Sequence, residues 1–188
     1  MKMGDGGFRP AYNPQLASDV DSLVIVGVEV ATVGSDQGQM VPMIEQVRER
    51  CGQAPEAWLV DGGFVGHQQV EQASAHTTVY GPVPAAKDKT VDPHQPKPDD
   101  SPAVAAWRAR MGTDEAKAIY KNRAATAECV NAQSRNRGLQ QFRVRGLAKV
   151  KCVVLFFALA HNLMRMASLA PEMLALGKGA SAVSGIGA

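Results

Sequence analysis

A mixed α/β fold follows from three features of the sequence. Stretches rich in β-branched residues alternate with helical periodicities over positions 1–83, a basic and strongly helical part runs over 103–170, and the intervening 84–102 carries neither pattern. With 188 residues, 45% of them hydrophobic, the chain is long and apolar enough for one core, so wholesale disorder is excluded. Cys51, Cys129 and Cys152 show no CxxC or Cys/His spacing, which argues against a disulfide framework or zinc ribbon and for a reducing, cytoplasmic setting. The opening MKMGDGGFRPAYN has no apolar core of the signal-peptide kind. The longest apolar run, Cys152 to Ala160, falls short of the ~20 residues a spanning helix needs, so no membrane partner is expected.

The elements can be justified in order. Ala11 to Ala17 and Leu23 to Val30 are strand-like and are joined by a turn holding Asp19 and Asp21, which predicts an antiparallel hairpin. Ser35 or Asp36 is placed to cap a helix on which Met40, Met43, Ile44 and Val47 share an apolar face. Gly52 is its stop, and Pro42 sits near the first turn, where a missing N–H is tolerated. AWLV, residues 57–60, reads as a buried strand feeding the turn Asp61-Gly62-Gly63. A short helix is expected over 68–75 and a further strand over 77–83. The stretch 84–102 is dense in Pro, Lys and Asp and reads as a flexible insertion. Beyond it, Thr113 caps a helix reaching about Arg135, with Asp114 and Glu115 placed against its positive end. A second helix runs from about Gly146 to Leu169, its Cys152–Ala160 part expected to be buried, and Pro171 stops it. The Gly/Ala/Ser-rich tail in 171–188 reads as disordered.

Charge is distributed unevenly. From Trp107 to Arg165 there are twelve Lys and Arg against three acids, while the rest of the chain has eight cations and fifteen acids, for a net charge of +2. Such a half suits a polyanion, nucleic acid first; a solvated helix surface is the alternative.

Few residues carry a chemical signal. Asp61 stands where a strand ends, the place where ligands collect in open α/β sheets, but Asp-Gly-Gly is equally an ordinary turn. Glu128 is nearly alone among cations on a stripe with Lys121, Ala124, Asn131 and Arg135. It reads as a metal ligand flanked by phosphate-binding cations, or as a solvated surface acid. His67, His76, His94 and His161 lack metal-ligand spacing, and His161 reads as a packing residue. No nucleophile elbow, P-loop or dinucleotide fingerprint is present.

Five strings, in order, carry a family resemblance: GDGGFRPAYNPQLASD, VIVGVEVATVGSDQGQM, WLVDGGF, YKNRAATAECVNAQSRNRGLQQFRVRGLAKVK and FFALAHNLMR. Over roughly residues 4–168 the chain resembles the C-terminal catalytic part of bacterial insertion-sequence transposases of the Asp-Asp-Glu (DDE) class. The resemblance implies a ribonuclease-H-like mixed sheet flanked by helices, and cleavage and strand transfer on DNA, both transposon ends and target. It implies two Mg²⁺ (or Mn²⁺) ions held by three carboxylates. Asp61 matches the second Asp and Glu128 the Glu, and Tyr120, Arg123, Glu128 and Arg135 are similar to the family's Tyr-Arg-Glu-Lys signature. One extra residue separates Arg123 from Glu128, and Arg replaces Lys at 135, which keeps the charge but changes the donor geometry. Lys121, Arg123, Arg135, Arg137, Arg143, Arg145 and Lys149 are the expected DNA contacts.

The first Asp of the family is expected on an opening strand just upstream of Met1, so the chain reads as N-terminally truncated, its sheet incomplete at that strand. Asp5 and Asp19 are the nearby substitutes, Asp19 the better one because it follows a strand. Loss of a shared metal ligand implies weak or absent activity alone. The competing reading is a non-catalytic DNA-binding or interfering protein, acting as a homo-oligomer or in mixed oligomers with a full-length relative. Loss of a central strand also exposes sheet edges. The isolated chain is therefore expected to be marginal or aggregation-prone; a single cooperative thermal transition with ordinary solubility would contradict this.

Overall fold

The computed structural model describes residues 6–7 and 11–171. The expectations for Asp5 and for the tail beyond Pro171 fall outside them. The described residues form four strands and five helices, a mixed α/β arrangement. Strands β1 (Asn13–Ser18) and β2 (Ile25–Ala31) make the expected antiparallel hairpin, with an irregularity between Ala17 and Ser18. Helix α1 (Met40–Cys51) buries Met40, Met43, Ile44 and Val47, and Gly52 ends it at φ 76°, a left-handed conformation open to glycine. Strand β3 (Ala57–Leu59), helix α2 (His67–Ala73) and strand β4 (Thr78–Tyr80) follow, β3 pairing parallel with β4. The basic half consists of α3 (Pro102–Met111), α4 (Asp114–Asn136) and α5 (Leu147–Leu169). The Ser101 hydroxyl accepts from the Val104 amide and the Thr113 hydroxyl from the Ala116 amide, which sets the starts of α3 and α4.

The strands form two separate sheets, β1–β2 and β3–β4, and no described strand joins them. Each sheet has its own core. Val60, Val70, Val79, Val104 and Trp107 pack around β3–β4, and Val28, Val30, Val130, Val150 and Val154 pack around the hairpin. Two helices span the halves. In α1, Met40 and Ile44 enter the first core while Met43 and Val47 pack on Ala17; in α4, Ala116 enters the first core and Val130 the second. Gly27 permits the close approach of α1, since a Cβ there would lie 2.5 Å from Met43 Sδ.

Two expectations need correction. AWLV is buried only in part: Val60 lies in the core, Trp58 and Leu59 are half-buried, and Ala57 is exposed. Nor is Cys152–Ala160 buried all round. Only Val154 and Ala158 are inside, while Leu155, Phe156 and Leu159 are exposed at 40%, 65% and 54%. The cause is that α5 lies against the hairpin on one side only. His161 Nε2 is 2.8 Å from Leu23 O, and Arg165 donates to Ser22 O at 2.7 Å. Leu147–Leu169 is by length and composition alone apolar enough to cross a membrane, but one such helix is weak evidence of a membrane and its polar side chains are engaged by the hairpin. Lys151 adds a 2.8 Å ion pair with Glu29. Burial pushes the Glu29 carboxyl up, but Lys151, the Val30 amide and Arg50 outweigh it and hold it below the ordinary value.

Segment 84–101 contains no helix or strand, yet it is anchored. Arg108, 3% exposed, bonds to Asp100 at 2.7 Å, to Pro93 O at 3.1 Å and to His67 Nε2 at 2.9 Å. This cation is committed inside the protein. Asp100→Ala strands the buried guanidinium and is expected to cost about 3 kcal/mol, read from urea unfolding. Burial raises the Asp100 carboxyl, while the Lys97 amide and Arg108 lower it further, so it lies below its ordinary value. Its contribution should be complete above the unfolded pKa of about 3.9 and vanish as pH falls through the lower folded value.

Candidate active site

The C-terminal end of β3 places Asp61. Val60 N–H donates to Tyr80 O at 2.9 Å, the last rung to β4, and the chain then turns through Asp61-Gly62-Gly63. Asp61 makes two contacts, one per carboxylate oxygen. Its Oδ1 accepts from the Gly63 amide at 2.9 Å, as a turn former does. Its Oδ2 accepts from the Arg123 guanidinium of α4 at 3.0 Å, across a cleft. Tyr120 lies one turn earlier on α4, and burial raises its phenol; the Arg123 charge opposes that rise and the Asp61 charge adds to it. Residues 120 and 123 of the sequence signature thus gather around Asp61.

The cleft has a volume of about 710 Å³ and is walled by β1, β3, α1 and α4. Arg123, Thr126, Ala127, Val130 and Asn131 form its α4 wall. Glu128 is a residue of this same stretch, next to Ala127 and less than one turn from Asn131. Its side chain is outside the described part of the structure. Of its stripe, Lys121, Ala124, Asn131 and Arg135 are exposed.

Asp36 is the acid that sequence reasoning misjudged. It does not cap α1, whose N-cap position is Gln39 with no side-chain cap. Its Oδ1 instead accepts from Asn13 Nδ2 at 2.8 Å and Gln15 Nε2 at 2.6 Å, both on β1. Its Oδ2 and Asp61 Oδ1 lie 3.1 and 3.2 Å from the point a Cβ on Gly63 would occupy, so the two carboxylates face each other over that backbone. Only the long-range amide donors distinguish this aspartate from a cap, and local spacing does not reveal them.

Asp19 has a different role. It lines the far end of the cleft and accepts from the Ser22 amide at 2.7 Å and hydroxyl at 2.6 Å, contacts that lower its pKa. Among the described residues, no three His, Cys, Asp or Glu side chains gather closely enough to hold a metal ion. The proposed DNA-contact residues divide. Arg123 is paired with Asp61, and Arg137 reaches His161 Nδ1 at 3.3 Å. Lys121, Arg135, Arg143, Arg145 and Lys149 are exposed, with no carboxylate partner among the described residues.

A family described as "Transposase DDE domain" matches residues 86–167, somewhat less than half of the chain. The match includes Tyr120, Arg123 and Glu128 and excludes Asp61. It supports a DDE-type transposase, and with it DNA cleavage and transfer in general. No curated protein and no solved structure matches the chain.

If Asp61 serves chemistry rather than stability, its loss should hardly affect folding. Asp61 and Arg123 side chains are 41% and 29% exposed, and such a pair contributes about 0.2–1 kcal/mol. Asp61→Asn should lower unfolding stability by no more than that in urea titration; a loss several times larger would mark Asp61 as a structural residue.

Proposed function

We propose that this chain is part of a DDE-class insertion-sequence transposase catalytic domain with a ribonuclease-H-like ancestry, acting on DNA by metal-dependent phosphoryl transfer. The observation that carries the reading is the position of Asp61 at the end of β3, facing across the cleft the helix that bears Tyr120, Arg123 and Glu128. A carboxylate at a strand end opposite an acid-bearing helix is the arrangement the sequence resemblance implies.

Hard oxygen donors suit Mg²⁺ or Mn²⁺, and Asp61, 41% exposed at the cleft, has the accessibility that a ligand needs. Asp61 and Glu128 would hold the metal. When bound, it supplies activation of a water or 3′-hydroxyl and neutralisation of the leaving oxygen. Arg123 holds Asp61 in place until then and, once displaced, is positioned to meet a phosphate. Lys121 and Arg135 lie on exposed α4 positions flanking Glu128. Arg143, Arg145 and Lys149, with Arg137, extend the cationic surface toward α5 and would fix the DNA backbone without reading sequence. The working compartment would be the cytoplasm, with transposon ends and target as the DNA partners.

A second reading, a non-catalytic DNA-binding or interfering protein, is favoured by one observation: Arg123 already neutralises Asp61. Partners would then include a full-length relative in mixed oligomers.

Nicking of supercoiled DNA in Mg²⁺ or Mn²⁺ separates the two. Catalysis predicts weak nicking that Asp61→Asn or Glu128→Gln lowers at least tenfold, with DNA affinity retained. Nicking unaffected by both variants, or absent from the parent chain while binding persists, selects the interfering role. In either case DNA affinity should fall steeply with salt, and Arg143→Ala with Arg145→Ala should reduce that slope by about two.

A further inference from the structure

Helix α5 carries two apolar faces, and the fold uses one of them. Val150, Val154, Ala158 and His161 are buried on the side that meets the hairpin. On the opposite side Cys152, Phe156, Leu159, Leu163 and Met166 recur at spacings of four, three, four and three residues. At about 100° per residue that rhythm keeps all five on one stripe, the pattern of a helix seam. Phe156, Leu159 and Leu163 are 65%, 54% and 46% exposed, and Cys152 is exposed at the head of the stripe. No acid occurs in α5, and two of its cations are turned away from the stripe: Lys151 pairs with Glu29 of β2, and Arg165 donates to Ser22 O in the hairpin turn.

Area, symmetry and charge together say what fits this face. Leu155, Phe156, Leu159 and Leu163, with the smaller residues beside them, present roughly 500 Å² of apolar surface in one patch, as large as the largest patches that monomers expose. Laid against its own likeness, the patch removes about 1,000 Å² in total, the size at which a specific interface begins. The stripe is also self-complementary. A twofold axis through Leu159, perpendicular to the helix, sets Leu159 beside its counterpart, Phe156 against Leu163 of the second copy and Cys152 against Met166. Charge chooses the direction. Arg143, Arg145 and Lys149 crowd the N-terminal end of α5 and are exposed. Parallel packing would set two such cationic ends side by side, whereas antiparallel packing brings each against the negative C-terminal end of the other helix.

We propose that the outward face of α5 is an interaction surface for a second copy of this chain, the two helices packing antiparallel through Phe156, Leu159 and Leu163. The hairpin lies on the far side of each helix, so the pair stacks as hairpin, helix, helix, hairpin, and the cleft at Asp61 takes no part in it. The inference is independent of the DNA chemistry, since it rests on apolar area, residue spacing and the charge at the ends of one helix.

The test uses the full chain, free of nucleic acid. Sedimentation equilibrium from about 1 to 200 µM should show a reversible monomer–dimer equilibrium. Phe156→Glu combined with Leu159→Glu, both at exposed positions, should weaken dimerisation at least tenfold while circular dichroism stays that of the parent chain. Mild oxidation reads the direction. In a Cys51→Ser background, Leu159→Cys should cross-link two copies, whereas native Cys152, about 20 Å from its counterpart in an antiparallel pair, should not. The proposal fails if the chain stays monomeric throughout, or if the double variant dimerises as tightly as the parent. It also fails if Cys152 cross-links and Leu159→Cys adds nothing, which is a parallel or a different contact. A monomer that instead binds phosphatidylglycerol vesicles, with binding abolished by the double variant, overturns it as well and identifies a lipid surface as the occupant.

Discussion

The ion pair between Asp61 and Arg123 joins the end of β3 to α4 at 3.0 Å, and the functional reading depends on this bridge. The two halves of the fold also share the apolar contacts of α1 and α4 and the hydrogen bonds of Gln46 and Asp36 to the hairpin. With the ion pair, a strand-end carboxylate is held toward the helix that carries Tyr120 and Glu128. The pair is partly solvated, so it adds little to stability. Its importance lies in position: it keeps an acid and a cation at a cleft instead of burying either.

The two cores make that cleft possible. Each two-stranded sheet packs on its own helices, α2 and α3 with β3–β4 and α5 with the hairpin, leaving between the sheets a cleft lined by apolar side chains such as Met43, Val47 and Trp58 and by the acids Asp19, Asp36 and Asp61. Isolated two-stranded sheets are marginal by themselves, and helix packing is what stabilises them. Asn162, Gln46 and Glu29 seal the outer edge of β2, whereas no described strand pairs with the other edge of β1 or of β3. An open edge together with the exposed Phe156, Leu159 and Leu163 of α5 gives the isolated chain two routes to association.

Much of the fold was legible in the sequence because the signals were local. The hairpin followed from two strand-like stretches joined by a turn at Asp19 and Asp21, α1 from its methionine and isoleucine spacing with Gly52 as stop, and α4 from Thr113 and the acids after it. The burial of His161 was also foreseen. What the sequence concealed depended on distant partners. Asp36 looks locally like a cap, but amides on β1 engage it. Cys152–Ala160 is apolar enough for a core, yet only one face of α5 meets the hairpin. Arg123 was expected on a phosphate, and the free protein pairs it with Asp61 because β3 ends opposite that turn of α4. Arg123 and Asp61 were named separately, by a signature and by a strand end, and the fold brings them together.

The central claim is that Asp61 and Glu128 grip a common cation. Mn²⁺ binding to the full chain, followed by electron paramagnetic resonance through a double-mutant cycle, addresses it directly. The account predicts that Asp61→Asn and Glu128→Gln each weaken Mn²⁺ binding markedly and that the double variant is scarcely weaker than either, the non-additivity of ligands on one ion. Fully additive losses, or Mn²⁺ binding that neither substitution affects, would contradict it.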